Sequence, residues 1–262
     1  MNNHNLCEEN YFDIETNKKY MSASQFKDFL KCPACAMAKL NKEWQQEKTS
    51  SLLIGDYVDA SYENTLDVFK AKNPEIFKKD GNLKSEYVKA EEIINRLEKD
   101  ELFSKYMSGE KQVIMTGEIE GVPIKIKIDS FHNKKCIVDL KIMKDMKPIW
   151  NEEQHCKLPF VEYWGYDIQM SIYQEIVRQN IGIKLPVFLC VATKETITDF
   201  AVLEIDDERL EYVMKNTIKP SILAFNAMKN GELEVNRCNK CDYCKLTKKL
   251  DKIINYKDID TE

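Results

Sequence analysis

Two aspartates and a lysine stand at intervals suited to phosphate chemistry. Asp139-Leu140-Lys141 lies in a stretch, Lys135 to Ile142, that alternates with period 2. Residues two apart on a strand share a face, so Asp139 and Lys141 point together. The preceding Val122 to Asp129 alternates too, with Ile124, Ile126 and Ile128 on one face and Lys125, Lys127 and Asp129 on the other. With Ile137 opposite Asp129, Asp139 is expected as the diagonal neighbour of Asp129, about 7 to 8 Å away. Two such carboxylates can converge on one divalent cation. Magnesium favours one or two carboxylates plus water and phosphate oxygens, and an adjacent lysine can orient an attacking water. The plainer alternative is a solvated sheet face of mixed charge.

Cys238-x2-Cys241-x2-Cys244 is a second constellation. Buried free cysteines have no reason to cluster at ligand spacing, so metal ligation is the better reading. Zinc sites usually collect thiols as two separated pairs, whereas a close triplet with a distant fourth thiol suits iron–sulfur ligation; iron–sulfur is preferred and zinc is the alternative. The fourth ligand comes from Cys32 or Cys35. Cys32 is preferred because it ends the helical stripe Phe26, Phe29, Leu30 and precedes a proline. Cys7, Cys136, Cys156 and Cys190 lack ligand spacing and read as buried thiols. Gln169 and Tyr173, four apart, share a helical face and could bond a phosphate or a metal-bound water, or be ordinary surface.

The elements that must position these groups follow from periodicity. Residues 1–20 show none and read as a loose lead-in. Ser22 caps a helix through Leu30, and further helices are expected from Ser50 to Phe69 and Glu86 to Met107. Gln112 to Ile119 and Val122 to Asp129 form a hairpin turning at Glu120-Gly121. A strand over Lys135 to Ile142, a helix over Val161 to Gln179, strands over Val187 to Thr193 and Asp199 to Ile205, and a helix over Glu208 to Lys229 complete the order. The sheet is expected to have an apolar and a polar side. No composition shift marks a linker, so residues 21–262 read as one α/β (α+β) domain.

Composition narrows the class. Hydrophobic residues make up 43% and charged residues 32% of 262 positions, with 8 glycines and 7 prolines, so disorder and fibrous repeats are excluded. No apolar run reaches the roughly 18 residues of a membrane span, and the N-terminus is polar and acidic rather than leader-like; a cytoplasmic location is expected. An odd nine cysteines fits a reducing compartment. The net charge is −5, so nucleic acid would have to be held by a local basic patch, with Lys125, Lys127 and Lys194 as contributors.

The sequence resembles the PD-(D/E)XK nucleases, and within them the RecE-like phage and prophage exonucleases. The resemblance runs through Met21-Ser-Ala-Ser-Gln-Phe26, Leu53-Ile-Gly-Asp-Tyr-Val-Asp59, Gly117 to Asp129, Ile137-Val-Asp-Leu-Lys141, Gly165-Tyr-Asp-Ile-Gln169 with Tyr173, and Cys238 to Cys244. It implies a mixed sheet flanked by helices, with the family's two acids and lysine at Asp129, Asp139 and Lys141 and its helix glutamine and tyrosine at Gln169 and Tyr173. Many relatives carry a metal-binding histidine four residues after a helix glycine; counted from Gly55 that position is Asp59, a hard oxygen ligand suited to Mg2+ or Mn2+. The cysteines look like those of the helicase–nuclease and CRISPR-associated branches, implying a [4Fe-4S] cluster held by Cys32, Cys238, Cys241 and Cys244 that clasps the two ends of the domain. The resemblance further implies a phage or prophage exonuclease in the bacterial cytoplasm that degrades duplex DNA from its ends for recombination. A ring-like homo-oligomer and a RecT-like single-strand annealing partner are implied with it. A CRISPR-associated type of end-trimming nuclease is one alternative. The other is a redox-responsive DNA-binding module with a vestigial site, against which the joint presence of Asp129, Asp139, Lys141 and Gln169 argues.

Overall fold

The computed structural model describes residues 6–45, 49–250, 253 and 255–258; the first five residues of the lead-in lie outside them. Seven helices come first: α1 Ile14–Lys19, α2 Ala23–Lys31, α3 Pro33–Leu40, α4 Ser50–Tyr62, α5 Leu66–Lys72, α6 Ser85–Leu97 and α7 Glu101–Met107. Strands β1 Val113–Ile119, β2 Val122–Ile128, β3 Ser130–His132, β4 Cys136–Met143, β5 Ile149–Asn151 and β6 Cys156–Leu158 follow. Helices α8 Phe160–Tyr163 and α9 Tyr166–Ile181 lead to β7 Val187–Thr193 and β8 Phe200–Ile205, and the chain closes with α10 Asp207–Val213, α11 Lys219–Lys229 and α12 Asp242–Leu246. No helix among the described residues is long and apolar enough to cross a membrane.

The central sheet runs β3-β4-β7-β8, with β4 and β7 parallel and both edge pairings antiparallel. A parallel pair needs a crossover, and α8 and α9 provide it. The β1–β2 hairpin turns at Glu120 and Gly121, both with positive φ (49° and 76°), the backbone that matches strand twist in a two-residue loop. Expected helices break where the local chemistry demands it. Gly165, at φ +63°, separates α8 from α9, and Pro220 cannot donate to the helix ladder, next to the widened π turn Met214–Ile218 between α10 and α11.

The expected apolar and polar sides give way to a sheet covered on both faces. Ile124, Ile126, Ile128, Ile137, Leu189 and Val191 pack with α9 and α2 in one core, while Val138, Leu140, Cys190 and Ala192 pack with α4, α6 and α7 in another. A parallel strand sandwiched between helices buries both its faces, so Asp139 is 1% exposed rather than solvated. Cys136 and Cys190 are buried thiols as expected, but Cys7 and Cys156 are exposed, because each sits in an irregular surface segment or a short outer strand.

The lead-in is not loose throughout, and Lys125 is the reason. Ile124 and Ile126, each roughly 1.5–3 kcal/mol of burial, fix β2 so that the intervening Lys125 has no route to water and is 1% exposed. Its Nζ donates to Tyr11 O and, at 2.7 Å, to Asn17 Oδ1, which holds the turn before α1 and α1 itself against the hairpin. Burial pushes the Lys125 amine down to about 8, opposed by Asp13. Lys125 is therefore a structural anchor, and its expected role as a DNA contact is corrected. Replacing Lys125 with methionine, which fills the same channel without donors, is expected to leave the hairpin intact and release the lead-in. Limited trypsin digestion at Lys18 and Lys19 should then accelerate; an unchanged rate would mean that other contacts hold this segment.

Candidate active site and metal centre

The two acids meet more directly than expected. β3 pairs with β4 so that Ser130 faces Val138 and Phe131 faces Ile137, which sets Asp129, one residue before the ladder, across from Asp139 itself. The expected Ile137–Asp129 register is therefore wrong by two residues. The cause is a break between β2 and β3 at Asp129, where the chain leaves the hairpin and joins the central sheet. Asp129 Oδ2 accepts from Leu140 N at 2.9 Å, so its carboxylate replaces a backbone acceptor at the strand junction.

Asp139 is held from two sides. Gln169 Nε2, on α9, donates to Asp139 Oδ1 at 2.7 Å, while Oδ2 is in ion-pair contact with Lys141 Nζ. That Oδ2 is buried and has no aligned hydrogen-bond donor, the contact with Lys141 being ionic only. Tyr173, one turn beyond Gln169, donates its OH to Lys127 O at 2.9 Å and so ties α9 to β2. Gln169 and Tyr173 thus reach the site as the i, i+4 spacing requires, but the first steadies an acid and the second a strand. Lys141 Nζ also donates to Leu140 O at 3.1 Å and lies 5.3 Å from the Tyr166 ring centroid.

Asp59 arrives from α4 and joins Asp129, Asp139, Lys141, Gln169 and Tyr173 around one cavity of about 570 Å³. The electrostatics are those of crowded carboxylates. Burial, then Asp139, pushes Asp129 up to about 7, and burial, then Asp129, raises Asp59 well above the carboxylate range. Burial works against the charge on Lys141, but Asp139 and Asp129 overcome it and hold its pKa above that of a free lysine. A divalent cation fits this donor set. It would relieve the repulsion between Asp59, Asp129 and Asp139 and add a second positive partner to Asp139 Oδ2 beside Lys141.

Of the three lysines expected to hold DNA, only Lys127 lines this cavity. Lys194 instead donates to Ser51 O at 3.1 Å and Ser51 Oγ at 2.5 Å. Gln112 was legible only as the start of a strand. It adopts a left-handed backbone (φ 53°), points Nε2 at Asp129 Oδ1 over 3.4 Å, and leaves its buried Oε1 without a donor. No spacing rule marks such a residue.

A family model described as a PDDEXK-like domain of unknown function (DUF3799) matches residues 22–247. The chain belongs to this PDDEXK-like family. A solved structure from Eubacterium rectale, provisionally described as an exonuclease, is 46% identical to it, with a TM-score of 0.91 over 98% of each chain. No curated protein matches it. The PDDEXK-like match begins at Ser22, the residue whose side chain accepts from Gln25 N to cap α2, and ends just beyond α12.

The C-terminal boundary of that PDDEXK-like region falls three residues beyond Cys244, beside a second centre, whereas Ser22 lines the cavity of the acids. Cys32, Cys238, Cys241 and Cys244 place their sulfurs within 4.8 Å of one another, with Cys32–Cys244 at 3.5 Å and Cys238–Cys244 at 3.9 Å. Cys35 is not in this group; it lies one turn into α3, where its backbone N donates to Cys32 Sγ at 3.5 Å. The same backbone device recurs twice, Cys241 N to Cys238 Sγ at 3.3 Å and Cys244 N to Cys241 Sγ at 3.5 Å. Such N–H donors favour thiolate, the ligating form. Burial resists ionisation of Cys238, yet the N–H groups of Cys241 and Lys240 outweigh it and lower its pKa, whereas at Cys32 and Cys241 burial prevails over the same kind of donor and raises the thiol pKa.

Proposed function

We propose that this protein is a Mg2+- or Mn2+-dependent deoxyribonuclease that degrades linear duplex DNA from its ends. The observation that carries the reading is the convergence of Asp129, Asp139 and Lys141 in one cavity, with Gln169 steadying Asp139. Family membership and the similarity to the Eubacterium rectale protein support it. Asp129, Asp139 and Asp59 would hold the cation, which when bound would supply a Lewis acid for the phosphate oxygens. Lys141, paired with Asp139 at the cavity, would orient the attacking water and stabilise developing charge. Lys127 meets the backbone of the strand, and Gln169 and Tyr173 keep the acids and β2 in place.

In this reading the enzyme acts in the bacterial cytoplasm as a single domain over residues 21–262. A homo-oligomeric ring threads a DNA end, and the single strands produced pass to an annealing protein. The four cysteines hold a [4Fe-4S] cluster, as the close triplet with a distant thiol suggests. One observation favours zinc instead. Four sulfurs about 2.3 Å from a single tetrahedral ion stand about 3.8 Å apart, and separations of 3.5 and 3.9 Å match that. A cluster requires the four side chains to open outward, which the partly exposed Cys238 and Cys241 allow.

The test is one assay on linear and covalently closed duplexes with magnesium, with manganese and with EDTA. Linear DNA should disappear in either metal and survive in EDTA, while closed circles persist, and added salt should slow capture more than it slows engaged molecules. Rapid nicking of closed circles by the wild type but not by Lys141→Ala would retain the nuclease and reject end threading. Salt-dependent binding without hydrolysis under any metal would favour the DNA-binding module.

A further inference from the structure

Phe12 is 68% exposed, and it stands on the wall of the cavity that holds Asp129, Asp139 and Lys141. An exposed aromatic ring is commonplace when its backbone is unconstrained, but this one is fastened on both sides. Tyr11 before it is 6% exposed, with its carbonyl bound by the buried Lys125. Phe12 O accepts from Asn17 Nδ2 at 3.1 Å, and Asp13 N donates to Asn10 O at 3.1 Å. The Tyr11 and Phe12 rings meet edge to face, with centroids 5.0 Å apart, and this leaves the Phe12 ring supported rather than covered. Lys127 Nζ lies 5.2 Å from its centroid.

We propose that Phe12 is a stacking platform for an unpaired nucleobase of the bound strand, with Lys127 meeting the neighbouring phosphate. This rests on the nuclease reading of the cavity. The chemistry follows from the pairing of groups: every base offers a π face, every adjoining phosphate a negative charge, and an exposed ring next to an ammonium serves both without discriminating sequence. A base still stacked inside a duplex has no free face to give. The ring therefore takes a base that has left its partner, such as the frayed last nucleotide of an end. Apolar packing alone would have drawn Phe12 inward beside Tyr11, whereas the bonds to Phe12 O and Tyr11 O hold it at the rim.

Binding of a short single-stranded oligonucleotide, with calcium replacing magnesium to prevent cleavage, tests the proposal. Affinities are compared for Phe12→Ala, Phe12→Trp and the wild type, each with an intact oligonucleotide and with one carrying an abasic site at the terminal nucleotide. Phe12→Ala should weaken binding of the intact strand roughly tenfold or more, Phe12→Trp should restore it, and the abasic strand should bind all three proteins alike. Equal weakening on intact and abasic strands, or no weakening on either, would overturn the assignment of Phe12. A wild type that cuts no DNA in magnesium or manganese would instead overturn the nuclease reading beneath it, so the two failures are separable.

Discussion

Lys141→Ala is expected to slow phosphodiester hydrolysis by at least about a hundredfold, and Asp139→Ala by as much or more. The loss should fall on kcat, because both groups act where charge develops and Lys127 retains the grip on the backbone. The two changes should differ in stability. Asp139 is 1% exposed and its Oδ2 meets Lys141, whose side chain is 19% exposed, so removing the acid leaves a largely buried ammonium unpaired. Breaking a buried pair from one side costs on the order of 3–5 kcal/mol, and the partial exposure of Lys141 moves the expectation to the low end. Asp139→Asn, which preserves an acceptor for Gln169, should lose activity as fully with a smaller drop in melting temperature. Steady-state kinetics with thermal melts on all three variants check this; activity within tenfold of wild type in Lys141→Ala at saturating metal would exclude the assigned role.

Cys32→Ala and Cys241→Ala should each strip the second centre and loosen α3 and α12 together. Purified without air, the wild type is expected to be brown, with iron and acid-labile sulfide, and each variant colourless. A cross-link over so long a loop is worth about 5 kcal/mol, which for a chain of this size lowers the melting temperature by roughly 10–20 °C when lost. Cys35→Ala should do neither, since its sulfur is not among the four that converge. Stoichiometric zinc in a colourless, fully folded wild type would end the iron–sulfur assignment while leaving the four-thiol site standing.

Much of this site was legible because it obeys short-range periodicity. Asp139 and Lys141 share a face through the pleat of one strand, Gln169 and Tyr173 through one helical turn, and Cys238, Cys241 and Cys244 through their own spacing. Element order survived for the same reason, down to Val187–Thr193 as a buried strand. What failed depended on contacts between distant segments. The Asp129–Asp139 register turns on where β2 ends and β3 begins, which alternation through Ile128 and Asp129 conceals. Lys125 and Lys127 look equivalent in an alternating strand, yet the turn at Tyr11 covers one and leaves the other at the cavity. Gln112 and Phe12 had no sequence signal, since a left-handed strand start and a pinned surface ring each arise from tertiary packing.

The sulfur group also imposes an order on biosynthesis. Cys32 and Cys244 are 212 residues apart, so at about 5–20 residues per second of translation the first thiol emerges roughly 10–40 s before the last. Throughout that interval Cys32 lacks the partners that complete a four-sulfur site, whereas β1 to β8 and α9 are all synthesised before its end and can assemble first. A metal taken up by these four thiols would then enter as a final step rather than as a nucleus, once translation has passed α12. Chains released before Cys244 would carry Asp129, Asp139 and Lys141 but not the complete four-thiol site, so thiol-bound metal, counted apart from any cation on the acids, would report how much of a preparation extends through that helix.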